Sequence, residues 1–207
     1  MRAKRRKCAC PTPGVTAKQE AAAGGATLYG VDAVDSGGMI SMGLDMGTGA
    51  LGQAWAVGTG GTIIEYNGTS WRQIGMADFL GVKPPTATLY AVSHAQDGTI
   101  MAVGAGGVTV RRGTDATWSS VPSGVTVNLN GVAATSATDA LAVGDNGTVL
   151  HWNGSNWMAA DASSFPQGKP GGSLRSIHCY NPMDCWMVGG DSTIWHLSGS
   201  TWSKYSG

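Results

Sequence analysis

The feature that most constrains this chain is a unit that recurs four times. A Leu-x-x-Val segment stands at Leu28–Val31, Leu89–Val92 and Leu129–Val132, and returns as Leu174–Ile177. A Val-Gly pair follows at Val57-Gly58, Val103-Gly104, Val143-Gly144 and Val188-Gly189. A Trp closes each unit, at Trp71, Trp118, Trp157 and Trp202. From the Leu to the Val of the pair is 14 residues in the last three units and 29 in the first, which carries an insertion of 15. Such self-similarity marks a supersecondary unit that cannot bury its faces alone and must stack on its neighbours.

Each unit reads as four short strands. In the third, Leu129–Ala133, Ala140–Val143, Thr148–Trp152 and a segment opening at Trp157 are apolar, β-branched or aromatic, as half-buried strands require. Asn146-Gly147 and Asn153-Gly154 join the later strands, and Gly60-Gly61, Gly106-Gly107 and Asn67-Gly68 take these places elsewhere. All are expected to place both central residues of a type I′ turn at positive φ, which matches strand twist. Hairpins therefore account for much of the chain's high content of 33 glycines.

Four-stranded antiparallel meanders repeating at about 40–47 residues predict an all-β fold, a β-propeller of four blades. The expected domain spans 28–207, with units at 28–75, 89–121, 129–160 and 174–205. Residues 1–27 are expected to form a flexible basic arm and linker. Every unit begins and ends in phase, so no strand is exchanged between the first and last blades. Closure must come from blade four packing on blade one, or from a homodimer that completes a larger ring.

The unit also resembles bacterial propeller repeats of the YCF48-like and Asp-box (BNR-like) kind. Those end the third strand in a D-G-G-x-T-W-like turn. Here the turns are Asn67-Gly-Thr-Ser-Trp71, Asn153-Gly-Ser-Asn-Trp157 and Ser198-Gly-Ser-Thr-Trp202. Gly113-Thr-Asp-Ala-Thr-Trp118 has one residue more, and the Asp is mostly replaced. The resemblance runs from Leu28 to Gly207 and implies the fold. It implies more loosely an assembly factor for a membrane complex. Asp-box propellers include sialidases, so it also implies a glycan hydrolase as an alternative. That chemistry resembles a site with an arginine cluster, a Tyr/Glu pair and an Asp. The body offers Arg72, Arg111, Arg112, Arg175 and one glutamate, Glu65. Glu65, Arg111, His151 and His196 share one register of the third strand, mid-blade and off the channel. No G-x-S-x-G elbow is present. The reading favoured is a non-catalytic recognition or scaffold module that binds protein or carbohydrate through one propeller face.

Cys179 and Cys185 fall on the first and second strands of the last unit, where facing cysteines can reach bonding distance. A disulfide, a reduced pair and a partial metal site are all open on spacing alone. The resembling repeats often carry cysteines here, which implies a cross-strand disulfide and an extracellular or cell-envelope location. No export signal is visible, because no apolar run follows the basic start of Arg2, Lys4, Arg5, Arg6 and Lys7. That start is read as a solvated tail rather than a nucleic-acid arm. From Leu28 onward seven bases face twelve acids, so the body is a poor phosphate-backbone binder. No uninterrupted apolar stretch approaches the length of a membrane span. Cys8 and Cys10 lack the further close ligands of a zinc site, and neither metal nor cofactor is expected.

Two columns of the repeat vary while their neighbours hold. One is Asp32, Ser93, Ala133 and His178; the other is Tyr29, Tyr90, Asn130 and Arg175. Fixed positions build a blade and varied polar ones can bind. The candidate ligand contacts are therefore Tyr29, Asp32, Tyr90, Ser93, Asn130, Arg175 and His178. The insertion, Ser36–Gly52, carries Met39, Met42 and Met46. These are candidate protein contacts, since methionines make an adaptable surface, and thioethers can also hold Cu(I).

Overall fold

Each unit folds into one antiparallel sheet whose strands pair in chain order. A computed structural model describes residues 23–34, 52–190 and 192–206. Blade one contains β1 (Leu28–Val34), β2 (Gln53–Gly58), β3 (Ile63–Tyr66) and β4 (Trp71–Gln73). Blade two contains β5 (Leu89–His94), β6 (Ile100–Gly104), β7 (Thr109–Arg112) and β8 (Trp118–Ser120). Blade three contains β9 (Leu129–Ser136), β10 (Asp139–Gly144), β11 (Val149–Trp152) and β12 (Trp157–Ala159). Blade four contains β13 (Leu174–Asn181), β14 (Asp184–Gly189), β15 (Thr193–Ser198) and β16 (Thr201–Ser206). The fold is an all-β propeller of four blades. Among the described residues no helix is long and apolar enough to cross a membrane.

The blades pack face to face, and three cores lie between them. Trp55 and Val57 of blade one meet Leu89, Ile100 and Trp118 of blade two. Met101 and Val103 meet Leu129, Leu150 and Trp157 of blade three. Leu141 and Val143 meet Leu174, Met187 and Trp195 of blade four. The Trp of the fourth strand is thus a core residue in blades two, three and four, whereas Trp71 stays half-buried. The chain's two phenylalanines lie in the segments that join blades and pack on these indoles. Phe79 stacks on Trp118 at 6.2 Å, and Phe165 on Trp202 at 6.0 Å.

The Val-Gly pair has a steric cause. The residue after each Gly donates its N–H to the carbonyl of the residue before the repeat's leading Leu. These bonds are Thr59 to Thr27, Ala105 to Thr88, Asp145 to Asn128 and Gly190 to Ser173, at 2.8–2.9 Å. A Cβ on Gly58, Gly104 or Gly144 would fall on that carbonyl oxygen.

The turn between second and third strands is type I′ as expected. Asn146 (φ 57°) and Gly147 (φ 65°) are both left-handed, as are the two Gly-Gly pairs. The expectation fails at the next turn. Asn67 and Asn153 keep negative φ, and only the following glycines are left-handed. Each Asn instead turns its side chain inward, and its Oδ1 accepts the N–H groups of the residues two and three further on. The Asx turn replaces a second residue at positive φ.

The innermost strands β1, β5, β9 and β13 lie side by side, and no comparable packing returns from β13 to β1. The four blades therefore form an arc among the described residues, and do not close by blade four packing on blade one.

Candidate functional site

The concave side of the arc is a polar recess of about 550 Å³ lined by all four innermost strands. Asp32, Ser93, Ala133 and His178, one column of the repeat, all line it. Two of these residues, Asp32 and Ser93, accept polar bonds from the next blade, and Asp97 does so beside the recess. His94 donates its N–H to Asp32 Oδ2 at 2.7 Å, and its Nδ1 lies 2.8 Å from the same oxygen. Ala134 donates its N–H to Ser93 Oγ at 3.1 Å. Asp97 accepts from the Ala137 N–H at 2.6 Å. Partial burial pushes the Asp97 carboxyl up, but the N–H groups of Thr99 and Ala137 and the charge of Arg111 outweigh it and hold it below the ordinary range. Asp32 and Ser93 thus hold blades at fixed angles while keeping an edge on the recess. His178 is exposed there, edge-on to Tyr180 at 5.8 Å.

The second column lies at the other end of the innermost strands. In every blade the pairing register skips one residue: Tyr29, Tyr90, Asn130 and Arg175 have no cross-strand partner. Each is a β-bulge, which turns its side chain out of the normal alternation. Tyr29 meets Tyr90 edge-on at 5.9 Å. Asn130 donates to Leu174 O at 2.8 Å and to Asp145 Oδ1 at 3.0 Å, with Arg175 Nη1 4.0 Å from that oxygen. The Asn130 amide first, then Ser173, Asn128 and the Arg175 charge, hold the Asp145 carboxyl below its ordinary value. The seven candidates therefore fall into two groups, one at each end of the strands.

Cys179 and Cys185 are cross-strand partners and form a disulfide. It clamps the hairpin that carries Tyr180, Asn181 and Pro182 to the rim of the recess. Tyr180 is 81% exposed. Sequence reasoning missed this residue and the Asp32 partner His94. The signal for Tyr180 was present, an aromatic side chain between a cross-strand cysteine and an Asn-Pro turn. Met39, Met42 and Met46 lie outside the described residues. Val34 and Gln53, which flank their insertion, are cross-strand partners at the same end of the innermost strands as the β13–β14 hairpin.

Three members of the mid-blade polar column are paired within their blades, and the buried Arg111 Nε has no hydrogen-bond partner among the described residues. Glu65 is buried and takes Arg72 at 2.7 Å, which also holds Asp78 at 2.8 Å. His151 pairs with Asp139 at 2.8 Å and His196 with Asp184 at 2.9 Å. Among the described residues no three His, Cys, Asp or Glu side chains converge as metal ligands.

No family model matches the sequence, and no curated protein matches it. Solved structures do. The WD40 repeats of RRP9 superpose with a TM-score of 0.64 at 10% identity, over 88% of this chain and 52% of that one. The WD40 propeller domain of Doa1 gives 0.60 at 12% identity, over 88% and 55%. YCF48 bound to a D1 peptide gives 0.51 at 15% identity, over 73% and 49%. The chain spans about half the length of these structures. At such identities the likeness shows the β-propeller fold. It takes in WD40 and YCF48 propellers alike, and so does not single out the Asp-box kind.

Proposed function

We propose that the chain is a non-catalytic protein-interaction module that holds an extended segment of a partner against the rim of the recess. The observation that carries this reading is Tyr180, an exposed aromatic side chain on a disulfide-clamped hairpin above a polar recess. A rigid aromatic anchor beside polar groups is the usual composition of an interface hot spot. His178 and the free edges of Asp32 and Ser93 would meet the partner's backbone groups, and Tyr180 an apolar side chain. The WD40 and YCF48 likenesses support the reading, one of the latter being a propeller bound to a peptide. The use of Glu65, Arg72, His151 and His196 in pairs within blades supports a non-catalytic role. A displayed random-peptide library, run beside a glycan array, tests it. Peptides should be enriched, and Tyr180→Ala combined with His178→Ala should weaken the selected ones about tenfold or more. Glycan binding alone, or peptide binding unmoved by both substitutions, would overturn it.

The disulfide supports placing the chain in an oxidising compartment, at the cell envelope or outside the cell. Closing so short a loop should stabilise by about 2 kcal/mol on the chain-entropy account. Protein alkylated at lysis should yield Cys179 and Cys185 linked, and reduction should lower its urea stability by about that amount. Free thiols in both positions at lysis would remove the argument for that compartment.

A further inference from the structure

We propose that the two ends of the arc are the two halves of one interface, and that a second copy of the chain closes an eight-bladed ring. The repeat itself gives the test of this idea, because each face of a blade can be compared at the same register across all four blades.

One side of every sheet faces the preceding blade. Its register positions in the innermost strand are the leading Leu and the Val three residues on. In blades two, three and four these residues are buried, at 8% exposure or less. In blade one, on which no blade packs from this side among the described residues, Leu28 is 42% exposed and Val31 is 71% exposed. With Ala56, Ile64 and Trp71 they line an apolar groove of about 310 Å³.

The other side faces the following blade. Its positions are Trp55, Met101, Leu141 and Trp186 on the second strand, then the Val of the Val-Gly pair. On the third strand they are Ile63, Thr109, Val149 and Ile194. In the first three blades all are buried, again at 8% or less. In blade four, on which no blade packs from this side among the described residues, Trp186 is 39%, Val188 41% and Ile194 42% exposed. Blade four is thus apolar at the registers by which each earlier blade grips its successor.

Backbone fit points the same way. Gly30 and Gly131 sit where the next blade's innermost strand comes so close that a Cβ would meet its main-chain atoms at 2.8–3.1 Å. Blade two carries Ala91 there and still packs on blade three, so the register admits a small side chain; blade four has Ser176 at it, exposed.

The occupant that matches both ends at once is another copy. Blade four of one copy on blade one of the other, made twice, forms two equivalent contacts related by a two-fold axis and leaves no end open. Eight blades lie within the usual range for propellers. The ring of bulge residues then continues across the joint, with Arg175, which is 67% exposed, next to the second copy's Tyr29. An arginine over a tyrosine ring is a favourable pairing.

Equilibrium sedimentation of the chain should give twice its 21.1 kDa. Trp186→Asp and Val31→Asp each should weaken association about thirtyfold or more. Val31 is 71% exposed and Val188 41%, whereas Trp186 also stacks on His196 at 4.0 Å within its own blade. Val188→Asp is therefore the companion variant that should weaken association likewise with that stack left in place. Mixing the two variants should restore a heterodimer, because one joint then pairs an unaltered blade four with an unaltered blade one. A monomer at micromolar concentration would overturn the proposal. So would Val31→Asp leaving the dimer intact, which would mean a contact of blade four on blade four. An open series of growing oligomers would overturn closure at eight.

Discussion

Trp118→Ala should cost about 3–5 kcal/mol of unfolding free energy, the range for a large aromatic side chain removed from a packed core. Trp118 is 1% exposed and stands between blades one and two. It also seats the segment that joins those blades. Phe79 stacks on its ring, and its own N–H donates to Asp78 O at 3.0 Å. The Asp78 carboxylate in turn takes the Gly75 N–H at 2.9 Å and Arg72 at 2.8 Å, and Arg72 holds buried Glu65. Removing the indole therefore opens a cavity at the point where the connecting segment is pinned. The indole Nε1 is buried without a hydrogen-bond partner, so the stabilisation is packing and not polar. Trp118→Phe should accordingly cost only about 1–2 kcal/mol. Urea unfolding at constant m-value measures both. A loss under about 1 kcal/mol for the Ala variant would show that Phe79 and Asp78 hold the segment without it. The binding face would feel the same change, since the angle between these two blades sets the Asp32–His94 contact.

The blades were legible because each repeat states the same packing problem four times. Val-Gly and the terminal Trp recur because a carbonyl and an interblade core recur at fixed distances from them. The bulge was also legible in principle. Leu and Val three residues apart cannot face the same side of a regular strand, whose side chains alternate. Both are buried on one side in blades two to four, which requires one extra residue between them. That residue is the variable one, so the column chosen for its variability proves to be the column of bulges. The Asn of Asn-Gly was not legible as turn type. Asn146 and Asn153 precede glycines alike, yet only the first adopts positive φ. The difference lies in the four-residue Asx geometry, which the dipeptide does not encode. The open arc was also hidden. Repeats describe what each blade presents to a neighbour, and the number of blades needed for closure follows from a tilt that no single repeat records. The site was legible by column but not by role. Asp32 and Asn130 spend their hydrogen bonds on neighbouring blades, and only the exposed His178, Tyr29 and Arg175 remain largely unengaged.

Gly104→Val should destabilise by about 3 kcal/mol, at the upper end for an enlarged residue in a packed position. The cause is not backbone freedom, because Gly104 is extended at φ −173°. A Cβ there falls on the Thr88 carbonyl oxygen and 2.7 Å from Leu89 Cα. That oxygen accepts the Ala105 N–H at 2.8 Å, so any shift that relieves the collision also stretches this bond. Leu89 is fully buried in the core and cannot withdraw outward. Gly106 supplies the control. It is left-handed at φ 62° with nothing within 4 Å of a built Cβ, so Gly106→Ala should cost only about 1–2 kcal/mol through backbone strain. If backbone freedom governed these glycines, the order would reverse, and thermal or urea unfolding of the two variants decides it. The consequence reaches the site, because Thr88 and Leu89 immediately precede the bulge at Tyr90 and begin the strand that ends at His94. Displacing them should loosen the Tyr29–Tyr90 and Asp32–His94 contacts together, one at each end of the innermost strands. A binding variant of this kind would lose affinity without any change to a residue on the recess.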